Sequence, residues 1–496
     1  MAAELQIKRK PIFSQSTKYY FHSAIAILLM FTFRFIPPFN PMITETGMNA
    51  LGIFLGVLYG WSFVGMIWPS LLGMIACGFT GIMTLQESFA MGFGSDLAVI
   101  TIFVFMFAAF MEESGLNSYI ANWFISRKIV VGKPYAFLAA MMLSGFVLSC
   151  FTQIFAAIVI VWSIFYNVAK EMGLQRREGF VNCTMFGILY SASLGAIVFP
   201  FSSFAIIALG LMKKATGLTV NFLTFSLFNL LACSIIMLLY WLACKYLFRP
   251  DTQKLLSTED RFAYMRGVKM NKKQKSAAVG LGIFLTMLFL PGIFPNSSFI
   301  INQLKSLGVV GSVLLVMIAF MILRKDGSEG TEGILNFGDI ARKGINWQVL
   351  VLLASTFPIS SALESEQSGV LKAAEAFISS SISDLNPFLA MAFLAILVAC
   401  LTQFTHNAVL LIIFIPMLCP IVISHGINPI VLVVTLLYAS KSALITPAAS
   451  TQAAMIFANT EWVEIKELFK LAVVGATIMA VVAVAIIPLA NISSVA

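Results

Sequence analysis

"ACLTQFTHNA" (Ala399–Ala408) sets polar side chains, one of them a histidine, in the middle of an apolar stretch running from residue 386 to 424. A stretch of that length is too long for one membrane crossing, which takes about 20 residues, and short for two. A re-entrant hairpin accommodates both facts, with two short helices entering and leaving on one side. Its tip is non-helical backbone at membrane depth, which is tolerated only where it lines a cavity. A second stretch, 134–169, has the same awkward length and a similar centre, "SCFTQIFAA" (Ser149–Ala157).

The two hairpins belong to a longer correspondence. Cys150–Gln153 returns as Cys400–Gln403 at an offset of 250, and "EESGL" (Glu112–Leu116) returns as "EQSGV" (Glu366–Val370) at 254. Further on, "YSASLGAIVFPFSSF" (Tyr190–Phe204) overlays "YASKSALITPAASTQ" (Tyr438–Gln452) at 248. That overlay sets Ser202-Ser203 against Ser450-Thr451 and Phe199-Pro200 against Pro447-Ala448. Three matches in one order and at nearly constant offset define an internal repeat. The segments 180–212 and 429–458 each carry a proline and hydroxyl residues at mid-length, so each is expected to be a broken helix. Repeats with discontinuous helices in corresponding positions are the pattern of secondary transporters, and the count of crossings between the halves predicts that they are inverted.

Composition agrees. Of 496 residues, 59% are hydrophobic and 11% charged, against about half and a quarter in soluble proteins, so the chain reads as an all-α polytopic membrane protein. Apolar segments near 20–36, 48–67, 69–84, 95–112, 220–247, 277–294, 308–323, 347–363 and 466–490, with the hairpins and broken helices, amount to about 11 transmembrane spans. The net charge of +9 does not point to nucleic acid, because the lysines and arginines cluster in loops, before residue 19 and between Lys245 and Lys275. The positive-inside rule puts both in the cytoplasm. The C-terminal "NISSVA" has no Lys or Arg and is expected outside. Residues 21–35 read as a retained first span of a protein in the plasma (inner) membrane, because no small-residue cleavage site follows. The seven cysteines lie in or beside apolar segments with no Cys-x-x-Cys spacing, and read as small buried hydrophobes.

Charge within the predicted core (134–169, 180–212 and 386–458) is nearly absent. It holds no Asp or Glu, Glu178 lying just outside, and a single lysine, Lys441, joined by His406. Cation exchange needs intramembrane carboxylates, whereas an anion beside a lysine and several half-helix N-termini is physically sensible. A lysine at mid-membrane costs roughly 2.5–3.5 kcal/mol, which asks for a function. His406 is a candidate proton carrier, since imidazole titrates near neutrality. The amides Gln153, Gln403 and Asn407 are candidates for substrate contact or for stabilising the tips, because an unpaired buried amide is costly. No His-Glu-x-x-His motif, intramembrane aspartate pair or Ser/His site suggests an enzyme, and no cofactor motif is present. An anion channel or sensor is the competing class.

At "MEESGL" (Met111–Leu116), "SASLGA" (Ser191–Ala196), "LTQFTHNAVLLIIFIP" (Leu401–Pro416) and "LITPAASTQAAMIF" (Leu444–Phe457) the chain resembles the divalent anion/sodium symporter family of the ion transporter superfamily. That family carries dicarboxylates, citrate or sulfate. The resemblance implies a scaffold and a transport core with two opposed hairpins and two broken helices, a homodimer, elevator-type alternating access and coupling to Na⁺. On this reading residues 1–19 are a cytoplasmic terminus and 249–276 a cytoplasmic basic loop. The scaffold comprises 20–130, 220–248 and 277–383, the core 134–213 and 386–458, and 466–491 is the last span. The family's Ser-Asn-Thr tip motif corresponds to His406-Asn407-Ala408, where only the asparagine is kept. In the first hairpin, the offset of 250 sets Ala156, Ala157 and Ile158 there, with Thr152 and Gln153 as the nearest polar candidates. The Thr-Pro-Pro signatures correspond to Ser203-Phe204-Ala205 and Ser450-Thr451-Gln452.

The expected substrate contacts are therefore Thr152, Gln153, Ser202, Ser203, Thr402, Gln403, Asn407, Ser450 and Thr451. Lys441, Ser193 and His406 are the expected coupling positions. Lys441 overlays Ser193, in a region where the family supplies oxygens to a sodium site, so a tethered ammonium in place of Na⁺ is one reading. Direct contact with a small anionic substrate is the other.

Overall fold

A computed structural model describes residues 15–256, 266–294, 298–324, 333–373, 376, 386–404, 407–447 and 449–492. The described residues are helical throughout their regular structure, as expected of an all-α membrane protein. In chain order the helices are α1 (Gln15–Thr32), α2 (Glu45–Phe63), α3 (Ile67–Cys77), α4 (Leu85–Phe93), α5 (Asp96–Glu113), α6 (Leu116–Ile125), α7 (Pro134–Phe151) and α8 (Ile154–Glu171). They continue with α9 (Gly179–Gly195), α10 (Ser203–Thr216), α11 (Phe222–Ala243), α12 (Lys272–Ile293), α13 (Phe299–Ile322), α14 (Phe337–Gly344) and α15 (Trp347–Glu364). The last are α16 (Pro387–Leu401), α17 (Asn407–Ser424), α18 (Pro429–Lys441), α19 (Thr451–Ala458), α20 (Ile465–Ala485) and α21 (Ile487–Ile492). Among the described residues, eight helices are long and apolar enough to cross a membrane.

Two compact units emerge. In the smaller, residues 1–95 with 347–378, α1 packs along α2 and α15 packs on α3 and α4. Gly56 permits the first of these contacts, since a Cβ there would lie 2.7 Å from the Ala26 carbonyl. In the larger unit α5, α12 and α13 share an aromatic core around Phe107, Phe110, Phe284 and Phe320. α14 packs on α5 there. The pairings α15 on α4 and α14 on α5 are reciprocal between the halves of the chain, as repeats related by a pseudo-twofold require.

Local chemistry repeats as well. Gly115 and Gly369, matched by the sequence overlay, both adopt left-handed φ, +75° and +66°. Each follows a serine, Ser114 or Ser368, that donates to a carbonyl three residues back and accepts from the N–H two residues on. A residue with positive φ at this turn favours glycine, which has no Cβ to clash.

The sequence dictates the helix starts and breaks. α7, α16 and α18 begin with proline, the latter two capped by Asn386 and Asn428, and proline is pre-organised for the first helical turn. Inside a segment proline does the opposite, removing a donor and disfavouring helix at the preceding residue. Pro200 lies in the break between α9 and α10, and Pro447 in the break between α18 and α19. The first hairpin is direct: α7 and α8 are separated only by Thr152 and Gln153, and Phe137 near the start of α7 meets Phe165 near the end of α8 at 6.3 Å. Its arms are not short, at 18 residues each.

In the second hairpin the described arms are α16, of 15 residues, and α17, of 18, and residues 405–406 between them lie outside the described residues.

Candidate functional site

The hairpin tips meet the helix breaks through a shared set of hydrogen bonds. In the first repeat the Ser149 hydroxyl donates to the Ala192 carbonyl. In the second, 250 residues on at both positions, the Ser442 hydroxyl donates to the Ala399 carbonyl at 3.4 Å. The same junction is bridged with the hydroxyl moved to the opposite helix. The tyrosines matched by the overlay, Tyr190 and Tyr438, are both fully buried. Tyr190 donates to the Gly475 carbonyl at 3.0 Å and Tyr438 to Asn229 Oδ1 at 2.8 Å. Each thus locks the first half of its broken helix to the long helix that closes the other repeat, α20 or α11.

Gln403 holds the second tip to its break. Its Nε2 donates to the carbonyls of Ser442 at 2.7 Å and Ala399 at 2.9 Å, while Oε1 accepts from the Ile445 N–H at 3.0 Å. The Thr446 hydroxyl donates to the Gln403 carbonyl, and the Thr402 hydroxyl reaches the Ser440 carbonyl at 3.3 Å. Ser450 closes the far end of the break as the cap of α19, accepting from the Ala453 N–H at 3.1 Å and donating to the Ala443 carbonyl at 2.7 Å. An unpaired backbone group is costly in an apolar setting, and these side chains supply the partners that the interrupted helix cannot.

In the first hairpin Thr152 donates to the Leu148 carbonyl of its own arm at 2.9 Å, and Gln153 Nε2 donates to the Gly344 carbonyl, the last of α14, at 3.0 Å. Ser193 bonds back to Leu189 at 2.9 Å. Asn407 is buried at the start of α17, its Oδ1 accepting from the Ala408 N–H at 3.0 Å. Thr451 is exposed, and Ser203 is the first residue of α10. His406 lies outside the described residues.

Among the described residues, three buried polar atoms of the core have no hydrogen-bond partner: Thr435 Oγ1 within α18, Oγ of Ser202, the cap residue of α10, and Nζ of Lys441, the last residue of α18, which is 2% exposed. The ammonium lies 3.1 Å from the centroid of the Phe204 ring, over the first turn of α10. A cation over an aromatic face is attracted by the ring quadrupole. Lys441 itself is the last residue of α18, and a helix C-terminus favours positive charge. The sequence singled out Lys441 and Ser202 but gave no reason to separate Phe204 from the other 44 of the chain's 45 phenylalanines. Its position two residues after the cap serine is the only signal.

Paired hairpins and broken helices, repeated within one chain and locked to each other across the repeats, define a membrane transport protein. Comparisons place it further. The family model described as "Citrate transporter" (CitMHS) matches residues 50–408, and the chain belongs to that family. The human solute carrier family 13 member 4 is 27% identical over 195 residues, which covers 35% of this chain and 30% of that protein. The matched part is thus under a third of that relative's length. The crystal structure of the Alcanivorax borkumensis YdaH transporter shares the fold at a TM-score of 0.55 and 15% identity, covering 82% of this chain and 87% of that one. The second broken helix, with Lys441, follows the residues that the family model matches.

Proposed function

We propose that this chain is a secondary active transporter of small di- or tricarboxylates that works without sodium, with Lys441 in the place of a coupling cation. The observation that carries this reading is the buried ammonium at the end of α18, resting on the Phe204 ring with no oxygen partner. A helix C-terminus at a break is where a cation is electrostatically welcome. A tethered amine, when protonated, supplies that charge whatever the sodium concentration. Held there, it lends positive potential to hairpin tips and helix breaks that carry no Asp or Glu, where a carboxylate enters.

In this account, 134–213 and 386–458 form the moving core and carry the anion by elevator-type displacement against the remaining helices, in a homodimer of the plasma membrane with a cytoplasmic N-terminus. Ser202, with its unpartnered hydroxyl beside the N-terminus of α10, and Thr451, exposed at the start of α19, are the leading substrate contacts. Asn407 and Ser203 at the matching helix starts join them. Gln403, Thr402 and Ser450 act by holding the break open, and Thr152 and Gln153 by fixing the first tip.

A thermal-shift screen of the purified protein against di- and tricarboxylates, sulfate and monocarboxylates, with and without sodium, tests the reading. A ligand that binds the folded state raises its apparent stability by mass action. A di- or tricarboxylate that stabilises equally in both conditions is the expected result. Stabilisation only by sulfate or a monocarboxylate overturns the substrate class. Counterflow of labelled substrate in liposomes then separates a carrier from a channel.

A further inference from the structure

Away from the hairpins and breaks, the segment between α6 and α7 and the chain leading into α12 enclose an open pocket of about 820 Å³. Three cations line it, Arg127, Lys128 and Arg266, and its described lining includes no acidic side chain. Two of them are held in place. The Arg127 guanidinium lies 3.7 Å from the Trp123 ring centroid, and its Nε donates to the Trp123 carbonyl at 2.9 Å. Arg266 donates to the Ser126 carbonyl. Arg127 and Lys128 make no ion pair with a described carboxylate. The remaining wall mixes polar Asn122 and Ser126 with apolar side chains, of which Trp123, Ile129 and Val268 are 45%, 66% and 59% exposed.

Position gives these features a meaning. α7 and α12, both long and apolar enough to cross a membrane, begin at Pro134 and Lys272, a few residues beyond the pocket lining. The pocket therefore lies at the level where a bilayer's headgroups meet water, on the side that the basic residues mark as cytoplasmic. Aromatic residues settle at that level, and basic pockets at the ends of membrane helices on that side recognise anionic headgroups.

We propose that this pocket binds the phosphate headgroup of an anionic membrane lipid. Arg127, Lys128 and Arg266 contact the phosphate, and Trp123, Ile129 and Val268 lie against the start of the acyl chains. The guanidinium forks suit phosphate oxygens, which accept two donors side by side. The site is independent of the anion carried through the core.

Native mass spectrometry of the purified protein, offered equimolar phosphatidylglycerol and phosphatidylcholine of matched chain length, tests this without any substitution. At least tenfold retention of the anionic lipid is expected, and equal retention overturns the proposal. Arg127→Gln/Lys128→Gln/Arg266→Gln is expected to abolish the preference, at about fivefold per charge removed. Arg342→Gln/Lys466→Gln/Lys470→Gln, with the same net charge, is expected to keep it. Because Arg266 also supports the Ser126 carbonyl, Lys128→Gln alone serves as the second variant, and an unchanged preference in it counts against the site. Glycerol 3-phosphate at millimolar concentration is expected to leave the bound lipid in place. Full displacement would mark a site for a soluble phosphate and overturn the lipid assignment.

Discussion

Gln403 Nε2 lies 2.7 Å from the carbonyl oxygen of Ser442, so the tip of the second hairpin is tied directly to the first residue after α18. With its other bonds, to Ala399 and Ile445, this one side chain satisfies backbone groups on both sides of the junction. Gln403→Ala leaves the Ser442 carbonyl and the Ile445 N–H without these partners, at a cost of about 1–3 kcal/mol for each buried group that finds no other. The expected outcome is a clearly lower melting temperature in detergent, with the same order of preference among anions. A stable Gln403→Ala protein that no longer binds any anion would instead make Gln403 a substrate contact.

Lys441→Met separates a structural lysine from a functional one. Methionine fills nearly the same volume, and replacing a buried charge with an apolar residue of similar size is often neutral or stabilising. The melting temperature is therefore expected to hold or rise while sodium-independent uptake falls at least tenfold. A large loss of stability would show that the fold, not transport, depends on the ammonium.

Phe204 should matter through its ring. A cation–π contact at a desolvated site is worth up to about 2 kcal/mol. Phe204→Tyr keeps the ring and should retain uptake; Phe204→Leu removes it and should reduce uptake without the full loss seen in Lys441→Met. Equal behaviour of the two variants, measured in the same liposomes, would remove Phe204 from the account.

How much of this was legible in the sequence can be judged at particular residues. The hairpins and breaks were readable because polar residues and prolines interrupt otherwise continuous apolar runs, and Pro200 and Pro447 mark both breaks. The repeat was readable at Gly115 and Gly369, where one turn geometry demands one residue type twice. The bonds from Ser149 to Ala192 and from Ser442 to Ala399 were not, since which helix carries the bridging hydroxyl depends on packing. Nor was the part played by Gln403, because an amide that bonds backbone and one that bonds a ligand look alike in sequence. Phe204 was hidden by abundance, and the reach of Gln153 to Gly344, 191 residues away, depends on tertiary packing alone.

The matched glycines give a graded prediction. Both have positive φ, so alanine is strained at either, but their surroundings differ. A Cβ at Gly369 would lie 1.8 Å from the Met42 carbonyl oxygen, whereas at Gly115 the nearest atom is Gln274 Nε2 at 3.3 Å, the end of a flexible side chain. Gly115→Ala is expected to cost about 1–2 kcal/mol, the penalty for a left-handed non-glycine residue. Gly369→Ala should be markedly worse, read as lower yield of folded protein and lower melting temperature. The reverse order would contradict the geometry of the turn.

Uptake of a labelled carboxylate into liposomes, with sodium present and with sodium replaced by choline, tests the central claim most directly. Wild-type protein is expected to transport at the same rate in both, and Lys441→Met to lose transport in choline, retaining it, if at all, only with sodium. Strictly sodium-dependent uptake by the wild type, unchanged in Lys441→Met, would contradict the assignment of Lys441 to the place of a coupling cation.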